Sequence, residues 1–94
     1  MYAVVVSVKI PEERDEEAAE YFRDQVLPTV TQRPGFVSGT WIRWENESNG
    51  ATDTSIILYE SKEHAKEAAR NAQPQPGSPV KLVSVEVGAV SAQA

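Results

Sequence analysis

Residues 36–59 read FVSGTWIRWENESNGATDTSIILY. Two runs rich in β-branched and aromatic residues flank a polar middle that holds Asn49-Gly50, a pair that favours tight hairpin turns because both residues tolerate positive φ. The reading is two consecutive strands, residues 36–45 and 54–59, joined directly. Successive side chains of a strand alternate, so Phe36, Ser38, Thr40, Ile42 and Trp44 take one face of the first strand and Val37, Gly39, Trp41, Arg43 and Glu45 the other. In the second strand Ile56, Ile57 and Leu58 put apolar groups on both faces. A hairpin at the centre of the chain divides it into two halves, each needing one more strand and one helix.

Working outward, residues 2–10 (YAVVVSVKI) are β-branched and apolar on both faces at their start, which fits a central strand covered on both sides. Pro11 ends it. Glu12, Glu13, Asp15, Glu16, Glu17 and Glu20 follow, with only Arg14 against them. Carboxylates at a helix N-terminus face the positive end of the macrodipole, worth about 0.3–1 kcal/mol each, so this run reads as a solvated first turn, with a cation site as the minor alternative. Across residues 15–30, Ala19, Phe22, Val26 and Val30 recur at spacings of 3, 4 and 4, one helical stripe that Ala18 and Leu27 broaden. Pro28 lacks an N–H and crowds the preceding turn, which predicts a kink or a loose last turn. Pro34-Gly35 stops the helix. Beyond the hairpin, Ser61 is an N-cap candidate with Glu63 in the first turn. This second helix runs to about residue 71 and buries Ala65, Ala68, Ala69 and Ala72 close against a sheet. Residues 73–79 (QPQPGSP) hold three prolines and a glycine and form no regular element. Residues 80–90 read as a fourth strand and 91–94 as a loose tail.

The order β-α-β-β-α-β is the split-βαβ, ferredoxin-like pattern of an α+β domain. Right-handed crossovers put both helices on one face of a four-stranded antiparallel sheet. The opposite face is left open, yet most strands carry apolar residues on both sides. Such a face exceeds what monomers usually expose, which implies a second layer, most simply another copy in a two-fold dimer. At 94 residues and 40% hydrophobic, the chain reads as one domain over residues 1–94, with a modest core that a partner chain would help to cover. The net charge of −5 resides in the acidic run; elsewhere eight acids meet eight bases and no basic patch forms to bind nucleic acid. The absence of cysteine rules out disulfides, thiolate catalysis and Cys-based metal sites. No apolar run is long enough to span a membrane, and the first residues lack a signal-peptide pattern, so a cytoplasmic location is the expectation.

Three stretches resemble a known family: MYAVVVSVKI at residues 1–10, the helix-to-strand corner RPGFVSGTWIRW at 33–44 and the strand-to-helix junction IILYESKEHAKEAA at 56–69. With the element order, they are similar to the dimeric α+β barrel superfamily, and within it to the antibiotic-biosynthesis monooxygenase-like domains. The resemblance implies a homodimer whose two sheets face each other as a barrel, and a cavity in each subunit between sheet and helices. Members include cofactor-free quinone-forming monooxygenases and haem-degrading enzymes. The monooxygenases use a polar strand residue, often Asn, with a Trp at the third-strand junction; here the first strand offers Ser7 and Lys9, and the junction holds Tyr59. The haem-degrading members use a haem-ligating His in the second helix, whereas His64 stands in the first turn, too early to match. No cofactor is expected.

The resemblance puts Tyr59 at the cavity wall. His64 is the only side chain that ordinarily titrates near neutrality, and a His in a first helical turn is commonly a surface residue. Trp41 and Trp44 point to opposite faces, and each is either packing or a stacking surface for a flat ligand. Arg43 shares a face with Trp41 and either anchors an anion or pairs with Glu45 or Glu86. Phe22 on the helical stripe joins Trp41, Arg43, Tyr59 and His64 as ligand-binding candidates. No metal constellation, glycine-rich phosphate loop or nucleophile elbow is present. Residues 73–79 are either a lid over the cavity or a rigid connector. Two functions fit: a homodimer that binds a small aromatic or apolar ligand, or a cofactor-independent monooxygenase. In the second, a deprotonated, electron-rich aromatic substrate reduces dioxygen itself while the protein orients it and stabilises the anion. A purely structural interaction module would instead have a closed cavity.

Overall fold

The structure, a computed structural model, describes residues 1–44 and 51–94. In chain order it contains β1 (Tyr2–Ile10), a 3-10 turn (Glu12–Arg14), α1 (Asp15–Tyr21), a π-helical segment (Phe22–Val26), α2 (Leu27–Thr31), β2 (Phe36–Arg43), β3 (Ala51–Tyr59), α3 (Lys62–Arg70) and β4 (Lys81–Ala89). The strands form one antiparallel sheet in the order β2-β3-β1-β4. β3 separates β1 from β2 and β1 separates β3 from β4, so each half is a split βαβ unit of the ferredoxin-like α+β arrangement. β1 and β3, the central pair, carry the runs VVVSV and SIIL, apolar on both faces. β3 starts three residues earlier than its composition suggests; Glu45 and the Asn49-Gly50 turn lie outside the described residues.

Val4, Ile57 and Tyr59 on the helix side of the sheet pack with Ala65 and Ala68 of α3 as the core. The alanines let α3 approach closely: they are 0% and 6% exposed, and the Tyr59 ring filling the space between is 1% exposed. Full burial of a side chain such as Val4 or Ile57 contributes about 1.5–3 kcal/mol. Ser61 caps α3 as expected, its hydroxyl accepting the His64 backbone N–H at 3.2 Å. No helix among the described residues is long and apolar enough to cross a membrane.

Two irregularities depart from the periodic reading. Residues 15–31 stay helical past Pro28, and the π-helical segment just before the proline explains how. A proline inside an α-helix presses on the carbonyl four residues back, and widening that turn by one residue relieves the clash. The Leu27 N–H accordingly donates to Phe22 O, five residues back. The second irregularity is a register shift between Phe36 and Ser38 that leaves Val37 unpaired and sets Phe36 opposite Tyr59. Strict alternation groups Phe36 with Ser38; the bulge turns its ring to the helix side. There it meets Tyr59 edge-on at 6.5 Å.

Away from the helices the sheet presents Ala3, Val5, Ile42, Ile56 and Leu58, interrupted by Ser7, Thr40, Thr54 and Glu86. Trp44 is half-exposed on this side, and its indole N–H donates to the Thr54 hydroxyl at 2.8 Å. The open face is thus apolar at its centre but more mixed than the sequence suggests.

Candidate functional site

α3 lies close to the sheet, whereas the longer helical arm (α1, the π-helical segment and α2) touches it mainly through α2 and β2. The space beneath the arm is a cavity of about 470 Å³, inside the range of about 300–1,000 Å³ usual for small-molecule sites. Val4, Val6, Val8 and Ile57 form its floor, and Ala18, Phe22 and Val26 its opposite wall. Ala18 is the buried alanine of the arm; Ala19 of the predicted stripe lines the cavity while largely exposed.

Trp41 and Phe22 meet across the cavity as a T-shaped pair, with ring centroids 5.3 Å apart and planes at 75°. The Trp41 ring lies close against Gly39, where an added Cβ would stand only 2.5 Å from it. Glycine at that position therefore lets the indole turn back along β2 toward the arm.

Both ends of the cavity are polar. At one, Arg43 donates through Nε to Asp53 at 3.0 Å and through Nη1 to Asp15 at 2.7 Å, tying β2, β3 and the start of α1 together. Asp53 and then Asp15 hold the guanidinium above its ordinary pKa, while burial pulls the other way. These side chains are substantially solvated, so the network is worth no more than about 1 kcal/mol. At the other end stands Tyr59. Burial raises its phenol pKa and the Arg33 guanidinium partly offsets the rise, so it is a neutral donor at neutral pH. Tyr59 lines the cavity at this end. Between the ends, Ser55 is buried and donates to the Val6 carbonyl at 3.3 Å.

Of the residues singled out from the sequence, the structure brings Phe22, Trp41, Arg43 and Tyr59 around this cavity. His64 lies apart from it: its Nδ1 is 3.0 Å from the Ser61 hydroxyl and its ring packs on Gly35. Arg43 is paired, but not with the acids its sequence neighbourhood suggested. Glu86 stands opposite Val5 on the open face, and Glu45 lies outside the described residues. Sequence reasoning missed Arg33, Asp53 and Ser55. The two strand residues were within reach of it, because a period of two counted back from Tyr59 passes through 57, 55 and 53.

Gln73, Pro74 and Gln75 border the cavity, and the segment they begin is fastened to the arm. Arg14 donates to the carbonyls of Gly77 at 3.1 Å and Ser78 at 3.3 Å while ion-paired to Glu17 at 2.6 Å. The Gln75 N–H donates to the Tyr21 hydroxyl at 3.4 Å. Arg14, the single cation of the acidic run, is thus a latch between α1 and this segment.

Among the described residues no three His, Asp or Glu side chains converge as metal ligands. Compared with known proteins, the sequence matches no protein-family model and no curated protein.

Proposed function

We propose that the protein binds a small, flat, largely apolar or aromatic molecule in the cavity between sheet and helices. In this reading it works as a homodimer of the monooxygenase-like, dimeric α+β barrel kind. The observation that carries it is the cavity of about 470 Å³ walled by the Trp41–Phe22 pair. Apolar lining supplies affinity at about 25 cal/mol per Å² of surface removed from water, and the aromatic edges orient a flat ring. The test is titration with 2-naphthol followed by tryptophan fluorescence. Saturable quenching that disappears in Trp41→Phe and persists in Trp44→Phe supports the site; no quenching in the native chain contradicts it.

A second reading, cofactor-independent oxygenation of a hydroquinone- or anthrone-like substrate, is favoured by one feature. Tyr59, a neutral phenol and therefore a donor, is among the residues that line the cavity, and stabilising a substrate oxyanion requires such a donor. Oxygen uptake with such substrates, lost in Tyr59→Phe, would support it. Uptake no greater than that of heat-killed protein removes the enzyme reading and leaves the binding one standing.

A further inference from the structure

The two polar ends of the cavity differ in charge balance. Arg43 is matched by two carboxylates, Asp53 and Asp15. Tyr59 lies six positions beyond Asp53 on β3, roughly 20 Å away at about 3.3 Å per residue. Arg33 lines the cavity near that end and is half-buried, and it takes part in no ion pair among the described residues. Its backbone is held in the corner that ends the arm: its N–H donates to Val30 O and its carbonyl accepts the Phe36 N–H, both at 3.2 Å. The Arg33 guanidinium acts electrostatically on the Tyr59 phenol. Glu67, a carboxylate that also feels Arg33, is already held by Arg70 and by the Asn71 side-chain amide.

We propose that Arg33 and Tyr59 form an anion-recognising end of the cavity, so that the ligand is an aromatic body carrying one oxygen-centred negative charge, such as a carboxylate or phenolate. This rests on the cavity being the ligand site. A guanidinium offers two parallel N–H donors that match a carboxylate, and the Tyr59 hydroxyl adds a third. A half-buried cation has lost part of its hydration, and an anion replaces that loss where a neutral group does not. Arg43 has no such need, because its own acids satisfy it.

The test compares a matched pair, 2-naphthoate and the neutral 2-naphthylmethanol, titrated calorimetrically into the full chain at neutral pH. The native protein binds the carboxylate about tenfold more tightly than the alcohol. Arg33→Gln erases that preference while keeping the alcohol's affinity, and Arg33→Lys, which keeps the charge without the fork, restores part of it. Equal affinity of the native chain for the two compounds overturns the anion end but not the cavity. A preference that survives Arg33→Gln, or that is lost in Arg43→Gln instead, also overturns it. Binding of neither compound overturns the cavity reading and this inference together.

Discussion

At Gly35 the backbone has φ of 79°, and an added Cβ would stand 2.2 Å from His64 Nδ1. Both facts forbid a side chain, so Gly35→Ala is expected to cost about 1–3 kcal/mol in urea denaturation. Adding His64→Ala to that variant should recover the steric share, whereas strictly additive losses would mean that φ alone sets the cost. Tyr59 gives a pH signature. Its phenol pKa is raised by burial in the folded state, so the stability this provides is complete below the ordinary value near 10. That stability is lost as pH climbs through the folded value. The native chain should therefore lose more stability than Tyr59→Phe between neutral and strongly alkaline pH; parallel losses would contradict the burial. Residue type announced Trp41 as a candidate, and the family resemblance announced Tyr59. They did not decide between the arginines, because Arg43 is satisfied by Asp15, 28 positions away in the chain, through a contact that exists only once the first residue of α1 meets the end of β2. His64 stood out for its chemistry, yet its position three residues after Ser61 commits it to the cap of α3.

Local signals located the strands and both helical regions of the described residues: runs of β-branched and apolar residues for β1 and β3, two-residue alternation for β2, a three-to-four-residue recurrence for residues 15–30, and the Ser61 cap with its alanines for α3. They missed the devices that interrupt a period. The π-helical segment is the particular way in which the helix accommodates Pro28 without ending, and the bulge at Val37 is a register shift that no local pattern records. The same holds for residues 73–79, where three prolines and a glycine exclude helix and strand but do not say what the segment is fastened to. The contacts of Arg14 with Gly77 and Ser78 supply that answer and predict a local effect. Arg14→Ala should speed hydrogen exchange at the Gln75 and Ser78 amides while the β1 and β3 amides keep their protection. Unchanged exchange at Gln75 and Ser78 would show that the arginine does not hold the segment.

For the whole molecule, the element order together with the right-handed crossover rule sufficed to place both helical regions on one face of a four-stranded antiparallel sheet; its strand order is β2-β3-β1-β4. The cavity was not legible in the same way, since its size depends on how far the helical arm stands from the sheet. The proposed dimer would cover Val5, Ile42, Ile56 and Leu58 on the open face, with the interspersed hydroxyls pairing across it. Light scattering at micromolar concentration should then report about twice 10.3 kDa for the native chain and a single 10.3 kDa species for Leu58→Lys. A native chain at the single mass would remove the dimer. The ligand site is tested most directly through the two indole N–H signals of a ¹H–¹⁵N spectrum, because Trp41 lines the cavity and Trp44 lies on the opposite face of the sheet. On titration with 2-naphthol, the Trp41 signal should shift to saturation while that of Trp44 holds still. Movement of Trp44 alone, or of neither, would contradict a ligand site between sheet and helices.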